Sequence, residues 1–244
     1  MSKKVVIDAG HGGKDSGAAA NGLKEKDIAL KISRLIVERL NNEYEGVTAT
    51  LTRNDDTFLE LKERTDKANA LNADILISVH CNAGGGAGGF ESSTYNGVSD
   101  PKTTALQNVL HTEIMAKVKQ FGVTDRGQKR ANLHMCRESK MAAVLTENLF
   151  IDVATDAAKL KQDSVIKALV DGHVNGVVKY LGLKDKSVAQ SSTTLDIYVG
   201  NKKVGSGEVE NGVTMVPLRL VAEALGAKVE YNAAAARVDI TPKQ

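Results

Sequence analysis

Val5-Val6-Ile7-Asp8-Ala9-Gly10-His11-Gly12-Gly13 opens the chain, a β-branched apolar run that leads straight into a histidine. The same design recurs. Ile75-Leu76-Ile77-Ser78-Val79 leads into His80, and Ala143-Val144-Leu145-Thr146 leads into Glu147. Short, nearly continuous apolar runs of this kind read as strands buried on both faces of a parallel sheet. In an open α/β sheet, ligands sit outside the carboxyl ends of the strands. The three runs therefore bring His, His and Glu to one edge, where chemistry is expected.

Between these runs lie helical patterns. Lys26 to Leu40 places Ile28, Ile32, Leu35, Ile36 and Leu40 at helical spacing. Leu59 to Leu71, Thr103 to Phe121 and Ala157 to Leu181 read as further helices, and Val47 to Arg53 and Phe90 to Tyr95 as further strands. The expected fold is α/β: a doubly wound, mostly parallel sheet flanked by helices. The pattern changes after Leu183. Residues 184–194 are polar and Ser/Thr-rich, as in a linker. Residues 195–244 then predict a small α+β domain. It has a turn at Gly200-Asn201, a helix opened by Pro217 and closed by Gly226, and a last hairpin. The expected domains are thus 1–183 and 195–244.

The chain has 244 residues, 42% hydrophobic and 25% charged, with a formal net charge of +2. That balance offers no footprint for nucleic acid. No apolar run approaches the roughly 18 residues of a membrane helix, so no insertion is expected. Two cysteines, Cys81 and Cys136, make neither a disulfide framework nor a metal knuckle. Trp is absent and aromatics are 4%, which argues against a sugar-binding surface of stacked rings.

A catalytic zinc site takes three protein ligands, often two His and one Glu, and leaves a position for water. His11 and His80 supply two. The helix after the first strand starts at the same sheet edge, and Glu25 opens it, in register with Ile28 and Ile32 on the core-facing stripe. Glu25 is the candidate third ligand, although alone it also reads as a first-turn carboxylate favoured by the helix dipole. Glu147 then serves as proton carrier, since a bare charge ending an apolar strand is costly without a function or a partner. His111 and His173 read as structural. His134, in a loop ahead of the Glu147 strand, is a lesser candidate for touching substrate. Cys81 follows His80 and so faces the other side of the strand, as a buried apolar residue. The run Gly84-Gly85-Gly86-Ala87-Gly88-Gly89 lacks the Lys-Ser/Thr of a phosphate loop and reads as a mobile rim.

Taken in order, several segments resemble zinc-dependent N-acetylmuramoyl-L-alanine amidases of the Amidase_3 type. They are Asp8 to Gly17, Glu25, Thr52-Arg53, Leu61 to Arg64 with Ala68-Asn69, Ser78 to Ala83, and Val144 to Glu147. The resemblance implies one Zn2+ on His11, Glu25 and His80, with Glu147 catalytic. It also implies a substrate, the amide joining N-acetylmuramic acid to L-alanine in peptidoglycan. Two other readings stay open: a zinc peptidase acting on stem-peptide ends, and a non-enzymatic wall-binding protein on the same fold. The segments Gly212 to Arg219 and Glu223 to Ala227 resemble the copper amine oxidase N-terminal-like domain. Copper is not implied, because residues 174–244 contain no His and no Cys. Wall attachment is the expected role of this tail, with a dimer through the C-terminal domain as the alternative. With Met1 leading into the first strand at once, no signal peptide is expected. Synthesis in a cytoplasm, action on the bacterial wall and a phage endolysin origin are the corresponding expectations.

Overall fold

The computed structural model describes residues 2–97, 100–186, 193–210, 213–233 and 236–242. The chain divides into two compact units, Met1–Lys186 and Ser187–Gln244. In the first, β1 (Lys3–Ala9) is followed by a short ladder of β2 (Ala19–Ala20) and β3 (Leu23–Lys24), then α1 (Glu25–Glu43). Next come β4 (Tyr44–Glu45), β5 (Val47–Leu51), α2 (Leu61–Ala70), β6 (Ile75–Asn82) and β7 (Phe90–Tyr95). The unit continues through α3 (Pro101–Val118), β8 (Asp125–Ala131), α4 (His134–Arg137) and β9 (Ala142–Phe150). It closes with α5 (Ala154–Leu160), α6 (Asp163–Leu181) and β10 (Lys184–Asp185).

Six strands form the central sheet in the order β5-β1-β6-β9-β7-β8. β5, β1, β6 and β9 are mutually parallel; β7 pairs with β9 antiparallel and β8 with β7 parallel. The expected mostly parallel, helix-flanked sheet is what forms. Alternate residues serve opposite layers, which is why the strands read as unbroken apolar runs. Val5, Ile7, Ile75, Ile77, Val79 and Val144 pack with Ile32 and Ile36 of α1, Leu110 and Ile114 of α3, and Leu169 and Val174 of α6. Val6, Leu76 and Ala143 face the other way, onto Ala68 of α2 and Met135 of α4.

Local signals account for the helix starts. Asp100 accepts from the Lys102 and Thr103 amides at the head of α3, with Pro101 at the first helical position. Glu60 and Glu63 cap α2 reciprocally. The expected helix over Ala157 to Leu181 is two, because Gln162 adopts extended backbone between α5 and α6. The first unit also runs past Leu183, since Lys184 and Asp185 pair with Glu45 and Tyr44. Residues 187–192 of the expected linker lie outside the described residues.

The second unit contains β11 (Thr193–Val199), β12 (Lys202–Glu210), β13 (Val213–Met215), α7 (Leu218–Ala224), β14 (Lys228–Asn232) and β15 (Arg237–Thr241). β11-β12-β13 is an antiparallel sheet, and β14-β15 is the hairpin expected from the sequence.

Candidate metal centre and active site

Parallel register brings the strand ends level. Ala9 lies opposite Val79, Val79 opposite Thr146, and His80 opposite Glu147. His11 follows β1 in the left-handed region, at φ 58°, a conformation uncommon outside glycine. Two buried arginines hold that loop. Arg53 donates to the carbonyls of Ala9 (2.9 Å) and Gly10 (2.6 Å). Arg64 donates to the carbonyls of Ala9 (2.6 Å) and His11 (2.5 Å). Asp8, fully buried, anchors Arg64 at 3.0 Å and also accepts from Thr52 (2.6 Å) and Ser78 (2.7 Å). Burial alone would raise the Asp8 pKa; Arg64 and the two hydroxyls outweigh it and hold the carboxyl below its ordinary value. Gly10 is required by close approach, because a Cβ there would lie 2.4 Å from the His80 ring.

The three candidate ligands converge. Glu25 Oε1 lies 3.0 Å from His11 Nε2 and 2.8 Å from His80 Nδ1. Their ligating atoms all fall within 4.8 Å of one another, the only such group found among the described residues. The Cys81 amide donates to Glu25 Oε1 (3.1 Å) and the Ala18 amide to Oε2 (3.0 Å). Asp15 Oδ2 holds His11 Nδ1 at 2.8 Å, which leaves Nε2 for the cluster. Burial would raise the Glu25 pKa, but the hydrogen bonds from His11 and His80 hold it well below the usual carboxylate range. Burial would likewise lower the His11 pKa, yet Glu25 and Asp15 raise it to about 9. Such a site draws positive charge. Two imidazole nitrogens and one carboxylate oxygen are the donor set of a catalytic zinc site with an open position, and the residues present fit that ion.

Glu147 stands beside His80 on the next strand. Its Oε2 atom is buried without a hydrogen-bond partner among the described residues. Burial raises its pKa to about 7, with further upward pressure from Glu25 and Glu91 against the lowering effects of His80 and His11. A relay of hydrogen bonds backs this strand end. His173 Nδ1 lies 2.8 Å from the Leu169 carbonyl, and Nε2 lies 3.0 Å from Thr146 Oγ1. A carbonyl only accepts, so Nδ1 carries the proton and Nε2 accepts from the threonine. Burial lowers the His173 pKa to about 4, which keeps the ring neutral. Asn148 completes the relay, donating to Thr146 Oγ1 (3.1 Å) and to the His80 carbonyl (3.0 Å).

The N-acetylmuramoyl-L-alanine amidase profile matches residues 5–179, from β1 almost to the end of α6. The chain belongs to this family. The amidase is 51% identical over 188 residues to the endolysin of Bacillus phage SPP1, covering 77% of this chain and 69% of that protein. It is 46% identical over 201 residues to the sporulation-specific N-acetylmuramoyl-L-alanine amidase of Bacillus subtilis, covering 82% of this chain and 76% of that one. Among solved structures, it resembles the catalytic domain of CwlV, an N-acetylmuramoyl-L-alanine amidase from Bacillus (Paenibacillus) polymyxa var. colistinus. The TM-score there is 0.69 at 35% identity, over 75% of this chain and 99% of that one. The N-acetylmuramoyl-L-alanine amidase of Clostridium difficile 630 gives a TM-score of 0.70 at 33% identity, over 74% and 97%. Residues 198–244 match the copper amine oxidase N-terminal domain.

Beside the amidase's His11–Glu25–His80 cluster opens a cleft of about 270 Å³, lined by His11, His80, Phe58, Leu59 and Leu61 among others. The glycine-rich rim is tied to acidic side chains: Asp152 accepts from the Gly84 and Gly85 amides and Asp156 from that of Gly89. The remaining histidines have structural partners. His134 lies in α4, 3.3 Å from Thr65 Oγ1 on α2, and is not brought to the cluster. His111 bridges Ser92 and Asp125, each at 2.9 Å; Ser92 is fully buried, so this Ser-His-Asp line has no accessible nucleophile. Cys81 is 3% exposed and packs in the core. Sequence reasoning missed the roles of Asp8, Asp15, Arg53 and Arg64. Asp15 carried a usable signal, an acid one helical turn's spacing from His11.

Proposed function

We propose that the catalytic unit hydrolyses the amide between N-acetylmuramic acid and L-alanine in peptidoglycan, with one Zn2+ held by His11, Glu25 and His80 and with Glu147 as proton carrier. The observation that carries this reading is the convergence of two imidazoles on one Glu25 oxygen beside an orphaned carboxylate, in a member of this family. When bound, zinc supplies a Lewis acid that acidifies water and polarises an amide carbonyl. Glu147 takes a proton from the attacking water and delivers it to the leaving nitrogen, which departs as the free amino group of L-alanine. In the metal-free protein burial raises its pKa, a preference for the protonated form that helps it hold the proton between the two transfers. Asp15 fixes the His11 ring, and the two arginines fix the loop that carries it.

Dialysis against a chelator is expected to abolish release of L-alanine amino termini from wall sacculi, and zinc alone to restore it. Mass spectrometry of the digest decides the reaction. New carboxyl-terminal residues in place of free L-alanine amino groups would assign a peptidase of stem-peptide ends. No cleavage by the zinc-loaded chain would leave a wall-binding protein. Likeness to a phage endolysin supports host lysis as the setting.

For the whole chain, the reading is a catalytic domain that takes in Lys184 and Asp185 and ends with the first unit at Lys186, three residues beyond the sequence boundary, and a wall-binding domain in the second unit. The isolated tail should sediment with purified walls and resist moderate salt. Residues 195–244 hold six Asp or Glu against six Lys or Arg, so bulk charge gives it little attraction. A tail that stays in the supernatant, with dimers seen only when it is present, makes it an association unit instead.

A further inference from the structure

Level with the metal cluster, one polar residue projects from each of four neighbouring strands. His80 on β6 is opposite Glu147 on β9, and Glu147 is opposite Glu91 on β7. The β7–β8 register slips between Phe90 and Ser92, which pair with Asp125 and Gln128, so Arg126 of β8 falls beside Glu91. Opposed residues on adjacent strands share a face. The row therefore runs outward from the proposed reacting groups to a guanidinium.

Arg126 is built as a reader of carboxylates. Its Nε donates to Glu91 Oε2 at 2.9 Å, and Asn82 holds the other Glu91 oxygen at 2.9 Å. Its guanidinium lies 4.5 Å from the centre of the Phe150 ring, an attractive contact that restrains it. Nη1 makes one long contact, 3.5 Å, to the Gly88 carbonyl, and Nη2 has no hydrogen-bond partner among the described residues. The side chain is 32% exposed. A planar fork held by Nε, with its Nη edge open, suits a bidentate carboxylate. None of the hydrolytic steps above uses it.

We propose that Arg126 binds the carboxylate of the residue that follows L-alanine in the stem peptide, and so sets the stem-peptide chemistry this enzyme prefers. The proposal rests on the amidase reading of the site. Strands lie about 4.8 Å apart, so the Arg126 backbone stands roughly 10 Å from that of Glu147 along the row; the side chain reaches back to Glu91, which leaves about one strand spacing, the reach of one extended residue and its carboxylate. On the opposite flank the cleft is lined by Phe58, Leu59 and Leu61 with Asp15, Glu60 and an Arg64 already committed to Asp8 and backbone carbonyls, so an acid meets no open cation there. In peptidoglycan the second residue is a γ-linked glutamate whose α-carboxyl is free in some walls and amidated in others. Arg126 distinguishes the two.

The test uses paired muropeptides that differ only in that group, a free carboxylate or its amide, with the full zinc-loaded chain. Wild type should favour the acid by about tenfold or more in kcat/KM, mostly through KM. Arg126→Gln should bring the ratio near one. Arg126→Lys keeps a cation for Glu91 but loses the fork, and should fall between. A wild-type ratio near one, or a ratio kept in Arg126→Gln, overturns the proposal while leaving the amidase reading intact. If Arg126→Gln does not fold, an undiminished ratio in Arg126→Lys overturns it equally. Cleavage of neither muropeptide by wild type removes the amidase reading, and the proposal with it.

Discussion

Glu147→Gln should lower kcat by about 10²- to 10⁴-fold, the usual contribution of a positioned proton carrier, while zinc content stays at the wild-type level. The amide keeps the shape of the side chain and removes only its capacity to accept a proton. Glu25→Ala should do the reverse and lose metal, because Glu25 is the residue both imidazoles converge on. Metal analysis beside turnover separates the two carboxylates. A metal-free Glu147→Gln, or a zinc-replete Glu25→Ala, means their roles are exchanged. Stability adds a second readout in the metal-free protein. A folded-state pKa near 7, above the ordinary 4.5, marks a buried carboxylate whose ionised form opposes folding. That cost is absent below about pH 4.5 and grows as pH rises to about 7. Glu147→Gln should therefore unfold at higher urea than wild type at pH 8, with the difference vanishing near pH 4.

Asp8→Ala is expected to cost about 3–5 kcal/mol of folding free energy, the range for breaking one side of a buried ion pair. Arg64 would keep its charge at 2% exposure with its carboxylate gone. Domains are stable by only about 5–15 kcal/mol, so the loss is about a fifth of the whole or more. Urea unfolding at neutral pH measures it. Asp8→Asn, which retains an acceptor for Thr52 or Ser78, should lose less. Zinc affinity should fall with stability, because Arg64 holds the carbonyl of His11 itself. A midpoint within 1 kcal/mol of wild type would show that the guanidinium finds other acceptors.

The convergence of His11, Glu25 and His80 was legible because each ends a strongly apolar strand or opens a periodic helix. Glu25 sat on the buried stripe of α1, and both it and Ile28 are buried in the structure. What surrounds the ligands was less legible. Arg53 and Arg64 act on carbonyls far away in the chain, and no local spacing announces that. β8 went unread because Asp-Arg-Gly-Gln-Lys-Arg-Ala has neither alternation nor apolar content; it forms at the sheet edge, paired on one side only, where tertiary pairing overrides propensity. Arg126 lies on that strand and was lost with it. The break between α5 and α6 carries neither Gly nor Pro, so a single helix was the natural reading.

His11, Glu25, His80 and Glu147 belong to separate elements, and they stand level only when the β1–β6 and β6–β9 registers are both in place. Parallel pairing closes long loops and is slow to form. Glu147 also lies past the midpoint of the chain. A nascent polypeptide on the ribosome, or a molecule with β9 detached, therefore carries no complete set of reacting groups. On the proposed mechanism, hydrolytic capacity is an all-or-none property of the finished sheet, absent until β9 has been made and has paired with β6.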